Sequence, residues 1–204
     1  MEKYHHLILP VHITFGVIGL LCGLAAMLYK KGSKNHKLAG KVFFWSMLGV
    51  FVSAVVMSLY HRIPFLLMIA VFSFYGAVTG YRVLSWGKKN GKGVQWFDWA
   101  GSLLNGLFCL SLAVYGAMLL FQDNIPFGII SLVFASLGVL GSVRDIGYYL
   151  KPPANPKFRI LAHIGNMIGA YIATVTAFVV TNFSFLPPIV LWLGPTVLLV
   201  PVIV

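Results

Sequence analysis

Charge is what this chain has least of. Of 204 residues only 4 are acidic, and charged residues of both signs make up 9%, where soluble domains carry about 25%. Such a chain could not solvate its own surface, which excludes a soluble globular protein. Cysteine is scarce too: Cys22 and Cys109 both lie deep in apolar runs, which excludes a disulfide framework and a cysteine-based metal spacing. H-E-x-x-H, G-x-S-x-G and Gly-rich phosphate loops are all missing. No reaction is assigned on motifs.

What remains is apolar length. Hydrophobic residues make up 59% and the mean hydropathy is +0.90. Seven apolar segments can be drawn, at residues 7–29, 42–60, 64–84, 99–121, 125–143, 160–181 and 185–204, each near the roughly 20 residues a membrane helix needs. They are continuous rather than alternating, which argues against a β-barrel. The expected fold is all-α: one polytopic helical bundle over 1–204 with seven spans. The weak segment is the last, crowded by Pro187, Pro188, Pro195 and Pro201. Prolines free carbonyls that neighbours must satisfy, so six spans and an irregular tail is the alternative.

The net charge of +11 suggests nucleic acid only if the chain is soluble; in a membrane protein, lysine and arginine mark the cytoplasmic loops. All but Lys3 and Arg62 of the 15 basic residues fall in or beside the loops after segments one, three and five. The turns after segments two, four and six are short: "HRIP", "QDN" and "NFS". This places the N-terminus outside. The expected partners are the lipid bilayer and an unassigned small molecule, with room for a homo-oligomer and no nucleic acid.

Small residues mark helix contacts in lipid and polar residues mark the interior. Segment one carries His12, Gly16, Gly19 and Gly23 on one face; segment two carries Ser46, Gly49, Ser53 and Met57. Segment four aligns Asp98, Ser102, Asn105 and Cys109, segment five Ser131, Gly138, Ser142 and Asp145, and segment six His163, Asn166 and Ala170. Each stripe alone is an ordinary packing face. Together they put Arg82, Asp98, Arg144, Asp145 and His163 within about two turns of one membrane edge. Ionisable groups at such depth are expensive and point to function. Asp145, an anion among cations, should pair with an arginine.

The stretch "HKLAGKVFFW" (residues 36–45) raises its own expectation. Its lysines pin topology, and Gly40 permits a turn from which Lys41 would start the second helix. The loop would then fold beneath the bundle and bring His36 towards Asp145 and His163, with Asp145 accepting a hydrogen bond from the His36 ring.

"HITFG" (His12 to Gly16) together with "HKLAGKVFFW" resembles an uncharacterised bacterial membrane family, domain of unknown function 2306. His36, Lys37, Gly40 and Lys41 fall where that family has a His-Arg-x-x-Gly-Arg-like loop, and "HIGNMIGAYIATVTAFVVTN" (163–182) is similar to its sixth span. "VQWFDWAGS" departs from it, lacking the histidine and arginine that many members carry before the fourth helix. The resemblance implies a multi-pass protein of the bacterial inner membrane and carries no known activity.

Two functional classes follow. In the first, a polar cavity open to the cytoplasm binds or passes a small molecule or ion, with His12, His36, Arg82, Asp98, Asn105, Arg144, Asp145, His163 and Asn166 as candidate groups. In the second, the chain holds b-type haem for redox work, since histidine and methionine from different helices at one depth can be axial ligands. On the outer side these would be His12, Met57 and His61; on the inner side His36 and His163 would approach each other. No bare metal site and no resident cofactor is otherwise expected.

Overall fold

A computed structural model describes residues 2–86, 93–155 and 157–202. Seven α-helices follow in order: α1 (Glu2–Leu28), α2 (Lys34–Tyr60), α3 (Pro64–Arg82), α4 (Trp96–Phe121), α5 (Ile125–Leu150), α6 (Phe158–Asn182) and α7 (Pro188–Leu199). Among the described residues there is no strand. Six of the helices are long and apolar enough to cross a membrane. The seventh has 12 residues and runs on into a short 3-10 turn. At 1.5 Å per residue it spans roughly 18 Å, against about 30 Å of hydrocarbon. The helix lengths therefore match the six-span alternative, with an irregular proline-rich end.

Local chemistry sets the helix ends. Ser33 caps α2, its hydroxyl accepting from the His36 backbone N–H at 3.2 Å, and Gly32 supplies the positive φ (+78°) that reverses the chain just before it. α2 thus begins two turns earlier than expected, and Gly40 lies inside the helix, not at a turn. Proline starts α3 and α7, where its missing N–H costs nothing. On α4 the Asp98 carboxylate reaches back to the Gln95 N–H at 2.8 Å.

The helices pair: α1 lies along α2, α4 along α5, and α3 along α6 between them. α4 shows how lipid and bundle are told apart. Leu103, Leu107, Leu110 and Val114 face outward and exposed, while Ser102, Asn105, Cys109 and Leu112 are fully buried. The buried face meets α5 closely enough that a Cβ on Gly138 would collide with Cys109 Sγ. Small residues, not bulk hydrophobics, make that approach possible.

The turns after α1, α3 and α5 gather at one end of the bundle, where most lysines and arginines lie; we call it the basic end. Lys88, Lys89 and Lys92 belong to the same charge count but fall outside the described residues. Towards the other end the core is aromatic. Phe65, Phe134 and Trp192 cluster there with Met68, Leu112, Ile130 and Leu191, the Trp192 ring standing 5.0 Å from Phe65 and 6.2 Å from Phe134. α7 thus fills the groove over α5 and α6.

Candidate functional site

The polar stripes meet at the basic end. α5 carries Asp145 five residues before its last, about 7.5 Å inside the helix end. The residue has no exposed surface. Burial on this scale requires hydrogen-bond partners, and α3 and the adjacent Arg144 supply three bonds. Tyr75 of α3 donates its hydroxyl to Oδ2 at 2.8 Å. Arg144 binds Oδ1 through Nε at 3.0 Å and a terminal nitrogen at 2.9 Å. The arginine side chain keeps 40% of its surface exposed while the aspartate keeps 1%, so the cation reaches in from the edge. Asp145 does pair with an arginine, its own neighbour in sequence.

From Tyr75 the bonds run on to α4. Ser102 Oγ lies 2.9 Å from Tyr75 Oη and 2.9 Å from Tyr149 Oη, and Tyr149 Oη stands 3.5 Å from the Asp98 carbonyl. Each hydroxyl owns one proton, which fixes the order. With Asp145 ionised, Tyr75 spends its proton on the carboxylate, so it must accept from Ser102, and Ser102 must then accept from Tyr149. Three O–H groups line up as Tyr149→Ser102→Tyr75→Asp145. Trp86 and Trp99 hold the Tyr149 ring at 4.9 and 5.1 Å between centroids.

Around this line most other polar groups are bonded, while the buried Trp86 indole N–H has no partner among the described residues. Arg144 also donates to Asn166 Oδ1 at 2.6 Å, and Asn166 Nδ2 to Thr79 Oγ1 at 3.0 Å. Arg82 grips Asp98 with two bonds, 3.0 and 2.7 Å, and covers the Phe97 ring at 4.6 Å. One turn deeper, Asn105 donates to the Gly138 carbonyl at 3.1 Å and to Ser142 Oγ at 2.9 Å. Asp98, Asn105, Asp145 and Asn166 are all buried where their helices meet.

The histidines lie elsewhere. His36 is half-buried at the start of α2. Its Nδ1 bonds the Ala26 carbonyl at 2.8 Å and its ring lies 6.4 Å from that of His163. The approach to His163 is as expected; the bond to Asp145 is not made, because Tyr75 and Arg144 take both carboxylate oxygens. His163 Nδ1 bonds the Gly80 carbonyl at 2.7 Å. His12 is half-buried towards the opposite end, its Nδ1 2.9 Å from Ser53 Oγ. The Ser53 proton goes to the Gly49 and Val50 carbonyls, so His12 is the donor. Met57 follows one turn beyond Ser53, and His61 sits in the exposed turn after α2 with its ring edge-on to Tyr60. An open apolar cleft of about 620 Å³ lies between α1 and α2 here, lined by Val11, Phe15, Trp45 and Ser53 among others.

Tyr75, Thr79 and Tyr149 escape a search of the sequence for site residues, and Ser102 counts there only as packing. Tyrosine near a membrane edge ordinarily anchors at the headgroups. The available signal is the spacing Tyr75, Thr79, Arg82 on α3 and Asp145, Tyr149 on α5, each a polar face at helical period. Compared with models of protein families, with curated proteins and with solved structures, the chain matches none.

Proposed function

We propose that the protein binds and relays a small cation, in the first instance the proton, at Asp145 from the cytoplasmic side of a membrane. The observation that carries this reading is the fully buried Asp145 at the end of an ordered O–H line. A line of hydroxyls passes protons by exchanging donors for acceptors and needs no open channel. A network this tightly packed leaves little room for a larger solute. Arg144 serves as counter-ion, and its exposed half lets it release the carboxylate when a proton arrives. The charge asymmetry of the loops supports an orientation with the basic end in the cytoplasm and the N-terminus outside. The resemblance to domain of unknown function 2306 would put the chain in a bacterial inner membrane.

The test is proton movement into proteoliposomes carrying a trapped pH dye. After an acid pulse the protein should speed internal acidification over empty vesicles. Asp145→Asn should remove the excess and Tyr75→Phe should reduce it several-fold. Equal uptake by Asp145→Asn and wild type, or no excess in wild type, would sink the reading.

A further inference from the structure

His36 and His163 take no part in the Asp145 network, yet both are built like ligands. Each Nδ1 faces a backbone carbonyl, Ala26 O at 2.8 Å and Gly80 O at 2.7 Å. A carbonyl only accepts, so each Nδ1 carries the proton and each Nε2 keeps its lone pair. Among the described residues no hydrogen bond uses either Nε2. Metal-binding histidines almost always donate the far N–H to a carbonyl or carboxylate, which fixes the tautomer and the ring. Here two rings on α2 and α6 are fixed this way at one level of the bundle, by carbonyls of α1 and α3.

We propose that His36 and His163 are the two nitrogen ligands of one transition-metal centre. Their spacing is within what one metal centre can bridge. With metal–nitrogen bonds of about 2.0–2.1 Å and a ring centre about 1.1 Å behind Nε2, trans imidazoles stand about 6.3 Å apart, and tetrahedral ones about 5 Å. The observed separation is 6.4 Å, with the ring planes at 76° in an edge-on pair, close to the wider of these spacings. Both residues are partly exposed, so the centre is reachable from the basic end. A Cβ on Gly40, one turn along α2 from His36, would meet nothing within 4 Å, which leaves that face of the helix open. Two sources supply such a centre: a haem iron, whose propionates Lys34 and Lys37 beside His36 would suit, or a bare ion completed by water.

Two titrations of the detergent-purified protein distinguish them. Hemin bound at one per chain with a low-spin two-imidazole spectrum identifies haem iron; Co²⁺ bound at one per chain with visible ligand-field bands identifies a bare ion. Either result supports the site if His36→Asn and His163→Asn each weaken binding at least 10-fold. Asparagine retains a donor for the carbonyl and removes Nε2, so helix content and elution should stay those of wild type. As a measurement that needs no variant, the bound probe should protect both histidines from diethylpyrocarbonate. Failure of both probes to bind stoichiometrically overturns the proposal, as does binding that survives both substitutions or is lost only in His12→Asn.

Discussion

Replacing Tyr75 by phenylalanine removes one oxygen from the middle of the bundle, and the network predicts what that oxygen is worth. It donates to a carboxylate and accepts from a serine. The two bonds differ in kind. Hydrogen bonds to charged groups contribute about 1.5–3 kcal/mol, whereas polar bonds between membrane helices average about 0.6 kcal/mol. After the substitution Asp145 keeps both Arg144 bonds on Oδ1 while Oδ2 loses the Tyr75 donor, and Ser102 keeps Tyr149. Tyr75→Phe should therefore cost about 2 kcal/mol, and Ser102→Ala only about 0.6 kcal/mol, since Tyr75 still reaches the carboxylate. The assay is reversible unfolding in mixed micelles with increasing denaturing detergent, followed by helix content. Asp145→Asn completes a cycle. If the carboxylate is the acceptor, the double variant should depart from additivity by about 1 kcal/mol or more. Equal costs for Tyr75→Phe and Ser102→Ala, or additivity within about 0.3–0.5 kcal/mol, would refute the order of donors.

Topology reporters inserted after Lys151 should read cytoplasmic and after Asp123 external; an Asp123 insertion on the cytoplasmic side would invert the whole arrangement. Gly138→Val drives a side chain into Cys109 and should destabilise by about 1–3 kcal/mol, while Gly101→Val, where a Cβ meets nothing within 4 Å, should fold as wild type. Equal stability of these two variants in the unfolding assay would mean that the α4–α5 contact is not close-packed.

How much of this was legible in the sequence depends on what each residue type signals. Asn105, Asp145 and Asn166 stand out because an amide or acid in an apolar run has few uses except the interior, and the 3.6 period assigns the face. Tyr75 and Tyr149 are indistinguishable from interface anchors until their partners are known, so the hydroxyl line is invisible in one dimension. The pairing of Asp145 with Arg144 is suggested by charge alone. The bond once expected between His36 and Asp145 fails because spacing cannot say that Tyr75 reaches the carboxylate first. Gly40 misleads for a different reason. A glycine in a polar stretch reads as a turn, but Ser33 caps the helix earlier and carries it beyond the apolar segment. Hydropathy likewise overstates the last segment, whose prolines break it into a helix too short to cross.

That short helix gives the bundle its asymmetry, and its docking can be tested on its own terms. Trp192 of α7 is 9% exposed between Phe65 and Phe134, while Trp45 on α2 is 62% exposed. In water, truncating a buried tryptophan loses both transfer energy and packing, about 3–5 kcal/mol. In lipid the transfer part vanishes, because acyl chains are as apolar as the core. What remains is the loss of close contacts around the gap. Trp192→Ala should therefore fall short of the aqueous figure and cost about 1–3 kcal/mol, whereas Trp45→Ala, whose ring already faces the surroundings, should be near neutral. The difference between the two in one detergent measures the packing of α7 against α3 and α5, with side-chain chemistry held constant. If both variants unfold alike, α7 is not seated in the bundle, and the aromatic cluster does not close the end opposite Asp145. If Trp192→Ala is the weaker fold, α7 is seated by close packing of its ring against Phe65 of α3 and Phe134 of α5.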